Sequence, residues 1–466
     1  MKILFVNPSS RDTIFGRMKT LSLPPMGLVS IASATPPEHE VAIFDENVEE
    51  GPLSFDADLV AVTATTGQAP RAYELMGEFR KRGIPSVMGG IHASVLPDEA
   101  ARYADAVVVG EAEEVWPTVV ADRARDQLRQ RYVAQARPDI THLPRPRREL
   151  LSKKYYVHSV QTSRGCPCDC SFCSVTSFNG TRYRFRSIDE VIAEIEQVEQ
   201  PGLFISDDSI VGLGPECVKH ALKLFERMKG LGKKWGSQVC LTVAEHDHLL
   251  RAAAQAGANT FYIGFESVDT ASLKSMNKGV NLRPLIRNYK EATRRIHDHG
   301  IGVIGGFILG TDGDGPDIFQ KTIDLVHEAE IDGCQFTIMT PFPGTRLYEQ
   351  MRDEQRLLYT DYPNDWARYN AYEAVIRPRN MTVEELIRGR RYVYDETSTL
   401  SRSLSRGWTT WRNTGSAGNA VVNFFWNYYN YKAIRTSQIH RGGAFPPILR
   451  GHDRHRGSAS RQGRGE

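Results

Sequence analysis

The sequence predicts an α/β protein in two main parts. A doubly wound, flavodoxin-like parallel sheet comes first, a partial (β/α)6, TIM-like barrel follows, and a mainly helical region closes the chain. Three observations predict this. Short β-branched apolar runs alternate with helical periodicity through residues 1–125, the pattern of a parallel sheet covered on both faces. Six more such runs recur between residues 155 and 342, most of them separated by amphipathic stretches, as βα units of a barrel would be. Finally, four of the seven cysteines of the chain crowd into residues 166–173, directly behind the first run of that second series.

Composition sets the outer limits. A chain of 466 residues holds about three domains on length alone. Its 41% hydrophobic and 24% charged content is ordinary for a globular protein, and a net charge of +2 argues neither for nor against nucleic acid. "MKILFV" reads as a first buried strand rather than a secretory leader. The longest apolar stretch, "IGVIGGFIL", falls well short of the roughly 18 residues of a membrane span. An odd number of cysteines, four of them bunched, is no disulfide framework. The cytoplasm is the expected compartment.

In the first part the strands are "KILFVN", "VAIFDE", "LVAVTATT", "SVMGG" and "AVVVGE", with helices at "RAYELMGEFRKRG" and "DEAARY". Ligands of such sheets sit outside the carboxyl ends of the strands. That rim carries Asn7, Thr63, Thr65, Gly89, Gly90, His92, Gly110 and Glu111. Glycines allow close approach to the backbone, and hydroxyls and amides hold polar groups. No G-x-G-x-x-G follows the first strand, which disfavours a dinucleotide.

The barrel strands are "YYVHSVQTS", "LFISDD", "WGSQVCL", "NTFYIGFES", "IGVIGGFILG" and "CQFTIMTPF". Their carboxyl ends form the working face, and the cysteine loop opens onto it. Ser187 with Glu190 three residues on reads as a capping box for the helix that follows. Within the loop Cys166, Cys170 and Cys173 are spaced C-x3-C-x2-C, with Cys168 between the first two. Iron–sulfur clusters normally take four thiolates, so three ligands leave one iron open. Structural zinc takes four ligands, often in well-separated pairs, and no second cysteine pair follows.

"LPPMGLVSIAS", "VMGGIHASVLPDEA" and "AVVVGEAEEVWP" resemble the cobalamin-binding domain that precedes many radical S-adenosylmethionine (SAM) enzymes, over nearly all of residues 1–125. C-x3-C-x2-C with Phe172 before the last cysteine is the pattern of those enzymes, and the match extends over residues 157–350. The resemblance implies a [4Fe-4S] cluster on Cys166, Cys170 and Cys173 whose open iron chelates SAM, and an electron that cleaves SAM to a 5′-deoxyadenosyl radical. It implies SAM contacts at Asp207 and Asp208 in "FISDDSI", at Gln238, and at Glu266 and Ser267 in "IGFESVD". It implies cobalamin on the strand ends of the first part. The D-x-H-x-x-G motif of other cobalamin proteins is absent from "NPSSRDTIFGR", so the cobalt takes no histidine from that loop, and His92 is expected at the corrin periphery.

The expected organisation is therefore a cobalamin domain at 1–125, a linker at 126–156, the radical SAM barrel at 157–355, a helical and aromatic region at 356–436 and a disordered basic tail at 437–466. The expected activity is methylation of an unactivated carbon of a small molecule or a lipid-like or natural-product intermediate, with an external flavodoxin- or ferredoxin-type electron donor. The alternative within the class is a radical cyclisation like that of the anaerobic magnesium-protoporphyrin monomethyl ester cyclase. A non-catalytic metal-cluster protein that binds nucleic acid through the arginine-rich tail would leave the first part and the SAM motifs unexplained. The aromatic run "VVNFFWNYYNYK" is read first as helix packing, since exposed aromatic patches are the exception. A substrate lid or a peripheral membrane contact is the other reading.

Overall fold

The computed structural model describes residues 1–9, 23–49, 55–155 and 157–436; the expected basic tail lies outside them. The first sheet contains β1 (Lys2–Asn7), β2 (Glu40–Asp45), β3 (Leu59–Thr63), β4 (Ser86–Gly89), β5 (Ala106–Val109) and β6 (Arg131–Val133), in the order β2-β1-β3-β4-β5-β6 and parallel throughout. The central strands are buried end to end, as at Ile3–Val6 and Leu59–Val62. That burial is why they read as unbroken apolar runs rather than alternating ones. The sixth strand falls in the stretch expected to be linker. It is three residues long with exposed arginine and valine on either side of Tyr132, so it carries no apolar signature.

The second sheet holds the six expected barrel strands. These are β7 (His158–Val160), β10 (Gly202–Ile205), β11 (Lys234–Val239), β12 (Ala258–Glu266), β13 (Gly302–Leu309) and β14 (Gly333–Ile338), parallel and in strict chain order from β14 to β7. Sequential order with helices between the strands makes it an open, partial barrel. Between β7 and β10 lies a short antiparallel ribbon, β8 (Ser163–Arg164) and β9 (Arg184–Phe185), which closes the cysteine loop at its base. The helix Ile188–Glu196 forms as expected, but Ser187 makes no side-chain cap. The Ser187 N–H that the box requires donates to Thr141 O at 2.9 Å instead, and Glu190 pairs with His142 Nδ1 at 2.9 Å.

Residues beyond the barrel do two things. Trp366 is buried, stacks on Tyr362 at 3.7 Å and donates to both Glu99 oxygens of the first part, tying the two sheets together. Three helices, Val383–Thr397, Leu400–Thr414 and Ala417–Thr436, follow. The last two form a hairpin across the amino ends of β13 and β14, where Asp332 accepts from Thr410 Oγ1 at 2.5 Å and from His297 Nε2 at 2.8 Å. Burial alone would lower the His297 pKa, but Asp332 beside it prevails and raises it. A histidine whose folded pKa is raised stabilises fully below its unfolded value of about 6.5 and loses that contribution as pH climbs through the folded value. Urea unfolding across pH 6 to 9 is therefore expected to show stability declining over that window, and His297→Gln to flatten the decline.

Candidate active site

Cys166, Cys168, Cys170 and Cys173 all face one cavity of about 270 Å³ at the carboxyl ends of the barrel strands, shared with Asp208, Gln238, Cys240, Tyr262, Glu266 and Lys278. The loop that carries the cysteines is shaped by Gly165. Its φ is +94°, and a Cβ there would stand 2.2 Å from the Arg182 carbonyl oxygen across the ribbon, so only glycine can deliver the chain to Cys166. Among the described residues no three metal-competent side chains converge tightly enough for a single ion. The thiols ring a space instead, which suits a multi-iron cluster held by cysteine sulfurs. Burial pushes the Cys170 thiol up to about 12 and raises Cys173 as well. Lys278, mostly buried on the same cavity, acts on Cys170 and Cys173 in the opposite sense. Buried and half-buried sulfurs beside a lysine cation fit a cluster of net negative charge.

Cys168 has a different partner. Its Sγ lies 3.9 Å from Cys240 Sγ at the end of β11. Hydrogen bonding from Cys168 lowers the pKa of both Cys166 and Cys240, the latter to about 6, while Cys168 itself is raised. Cys168 and Cys240 thus share one sulfur–sulfur hydrogen bond. We expect Cys168→Ser to keep the iron–sulfur absorption and iron content of the wild-type protein, because the three ligands remain. Loss of that absorption would make Cys168 a ligand.

The two aspartates at the end of β10 part company. Asp208 lines the cavity and accepts from Gly165 N at 2.8 Å and Asn179 Nδ2 at 3.1 Å. Asp207 turns inward and accepts from Thr162 N at 2.6 Å, from Thr162 Oγ1 and from Ser163 Oγ at 2.8 Å. Burial raises its pKa to about 6 against those donors. It fastens β7 to β10 and does not line the cavity. Ser267 is likewise off the wall: it is buried, with Oγ taking Asp269 N at 3.1 Å. Gln238 and Glu266 do line it.

Glu266 sits at a register shift between β12 and β13, with φ +62°. Bulges and left-handed non-glycine residues of this kind re-aim side chains at functional sites. Here the carboxylate is aimed at Lys278 Nζ, 2.8 Å away. Lys278 was not identified from sequence. Its only local signal is its place in "MNKG", and its partner is twelve residues back.

A second cavity, of about 460 Å³, opens at the carboxyl ends of β1, β3, β4 and β5. Asn7, Thr63, Thr65, Gly89, Gly90, Gly110 and Glu111 line it as expected, together with Gln161, Arg164, Phe178 and Asn179 from the barrel side. Gly90 has φ +88°, and a Cβ would lie 2.6 Å from Thr63 Oγ1; the cradle is narrow at its floor. This strand-end crevice, roomy, largely apolar and rimmed by amides and hydroxyls, fits a corrinoid. His92 does not belong to it. The imidazole is fully buried, 2.9 Å from the Tyr73 hydroxyl and 3.3 Å from Glu99, with its ring edge on Trp366. The helix Gly90–Val95 starts immediately after the strand and rotates residue 92 into the core.

The two cavities adjoin. Asn179 lines the second and bonds to Asp208, which lines the first. Arg164 reaches Glu111 and Glu113, each at 2.6 Å, and Arg184 reaches Glu111 at 2.5 Å. Both arginines stand on the ribbon that closes the cysteine loop.

Two family models match the chain: the radical SAM superfamily over residues 160–326 and the B12 binding domain over residues 20–120. The bacteriochlorophyllide d C-12(1)-methyltransferase of Chlorobaculum tepidum is 30% identical over 418 residues, which is 86% of this chain and 89% of that protein. The hopanoid C-2 methylase of Rhodopseudomonas palustris is 28% identical over 73% of this chain and 66% of its own. Among solved structures, the cobalamin-dependent S-adenosylmethionine radical enzyme OxsB with aqua-cobalamin and S-adenosylmethionine bound superposes with a TM-score of 0.68. That match covers 91% of this chain and 72% of the other at 14% identity, a likeness of fold. A thiol-ringed barrel cavity beside a strand-end crevice, matched by both family models, places this chain among the cobalamin-binding radical SAM enzymes, and it belongs to that family.

Proposed function

We propose that the protein is a cobalamin-dependent radical SAM methyltransferase acting on an unactivated carbon of a small organic molecule. The observation that carries this reading is the direct adjacency of the two cavities through the Asp208–Asn179 hydrogen bond. Bound there, a [4Fe-4S] cluster supplies the electron that cleaves SAM, and cobalamin supplies the methyl group. Cys166, Cys170 and Cys173 hold the cluster. Asp208, Gln238 and the Glu266–Lys278 pair present acceptors and a cation to the charged and ribose groups of SAM. Asn7, Thr63, Thr65, Gly89, Gly90, Gly110 and Glu111 hold the corrinoid.

The two relatives named above are named for methylating a bacteriochlorophyllide and a hopanoid, which supports a ring-containing substrate. An external flavodoxin- or ferredoxin-type protein completes the system as reductant, and a peripheral membrane contact through the C-terminal helices belongs to the same reading. The test is anaerobic incubation of reconstituted enzyme, reductant and methyl-deuterated SAM with candidate ring substrates. 5′-Deoxyadenosine together with a deuterated-methyl product is the expected result. 5′-Deoxyadenosine with an unlabelled, cyclised product would replace methyl transfer by ring closure.

A further inference from the structure

The hairpin formed by the helices Leu400–Thr414 and Ala417–Thr436 is built inside out. Its buried face is polar: Ser403, Arg406 and Thr410 on the first helix, Asn419, Asn423, Asn427 and Asn430 on the second. Its outer face is apolar: Leu400, Leu404, Trp408 and Trp411 on the first helix, Val421, Val422 and Phe425 on the second. Leu404 and Trp408 are 58% and 63% exposed, while Asn419, Asn423 and Asn427 are fully buried. A helix on a water-facing surface has the opposite arrangement.

The polar face has a local cause. The hairpin covers the amino ends of β13 and β14, where its side chains reach main-chain carbonyls. Asn419 donates to Gly300 O at 2.8 Å, Asn427 to Asp332 O at 2.7 Å and Asn430 to Cys334 O at 3.3 Å. Asn419, Asn427 and Asn430 meet that row of acceptors, while Asn423 is buried between them without a side-chain partner among the described residues. Among the described residues the outer face has no such cause, and an apolar patch of this size marks contact with something apolar.

Charge decides what. Between Glu396 and Asp453 the chain has no acidic residue; of its seven cations there Arg406 is buried in the inner face and Arg412 is paired with Glu330, which leaves Arg402, Lys432, Arg435, Arg441 and Arg450 as the positive excess of the segment. Two copies meeting through this face would bring like charges together, whereas an anionic lipid surface would be attracted. Paired tryptophans, Trp408 and Trp411 with ring centroids 4.9 Å apart, are side chains that settle at the headgroup level. No described helix is long and apolar enough to cross a membrane, so the hairpin would lie in the interface plane. We propose that this face docks the enzyme on an anionic lipid bilayer. The hairpin lies at the end of the barrel strands opposite the cysteine cavity, so it is not a lid over that cavity. The docked enzyme presents its active-site mouth away from the bilayer, and the foot positions the molecule without feeding the cavity.

The experiment is co-sedimentation of the full-length protein with vesicles of phosphatidylcholine alone and of phosphatidylcholine with phosphatidylglycerol, at low and high salt. Binding is expected on the anionic vesicles only, weakened by salt. The triple variant Leu404→Ser, Trp408→Ser, Phe425→Ser should bind at least about tenfold more weakly, because its apolar contact is gone. All three side chains are surface residues, and an unchanged far-ultraviolet circular dichroism spectrum would show the variant folded. Wild-type protein that stays off both vesicles overturns the proposal. So does a wild-type dimer in light scattering that the triple variant converts to monomer, which would assign the face to a second copy.

Discussion

Cys170→Ala removes 5′-deoxyadenosine formation and the iron–sulfur absorption together. Of the three ligand cysteines, Cys170 alone is buried, at 7% exposed, and burial pushes its thiol pKa up to about 12. The sulfur must give up that proton to bind iron, as thiolate ligands do on metal binding. Loss of a group that only supports a ligand costs roughly 10–100-fold in metal affinity or activity; loss of the ligand itself should cost at least about a hundredfold in SAM cleavage. Truncation removes one sulfur from a cavity wall, so the barrel should keep its secondary structure. Iron assay and product analysis on anaerobically reconstituted protein check the result, and full 5′-deoxyadenosine formation by the variant would overturn the ligand assignment.

Lys278→Met is expected to give the largest loss of stability. Lys278 and Glu266 have side chains only 13% and 11% exposed and meet at 2.8 Å. The lysine pKa is raised well above its usual value, burial opposing and Glu266 prevailing. Removing one partner of such a pair leaves the other charge buried alone, which costs about 3–5 kcal/mol. The urea midpoint of the barrel should shift accordingly, and adding Glu266→Gln should recover most of the loss. Equal losses in the single and double variants would mean that packing of the lysine stem, and not charge, is what matters.

The sheets were legible because buried parallel strands must be continuously apolar, and eleven such runs stand out against their helical neighbours. The cluster ligands were legible because they lie in one loop at fixed spacing. What escaped the sequence depends on partners distant in the chain. Cys168 answers to Cys240, 72 residues on, and His92 is claimed by Tyr73, Glu99 and Trp366 from three separate segments. Asp207 and Asp208 are neighbours with opposite directions, and only the Thr162 and Ser163 donors decide which one is internal. The helix-packing reading of "VVNFFWNYYNYK" failed for its valines and for Phe425, which are exposed. Periodicity finds a stripe but assumes that the apolar side faces in. Here carbonyls at the strand ends reverse that choice.

The grip of Arg164 and Arg184 on Glu111 and Glu113 has an evolutionary consequence. The acids stand on the first sheet and the arginines flank the cysteine loop, with Arg164 and Glu111 both buried. A barrel grafted onto a foreign partner would strand at least one buried guanidinium without its counter-charge. Gene fusion or domain shuffling in this lineage should therefore keep the four residues as a set. A chimera that exchanges the first sheet will need both acids restored before the cysteine loop closes.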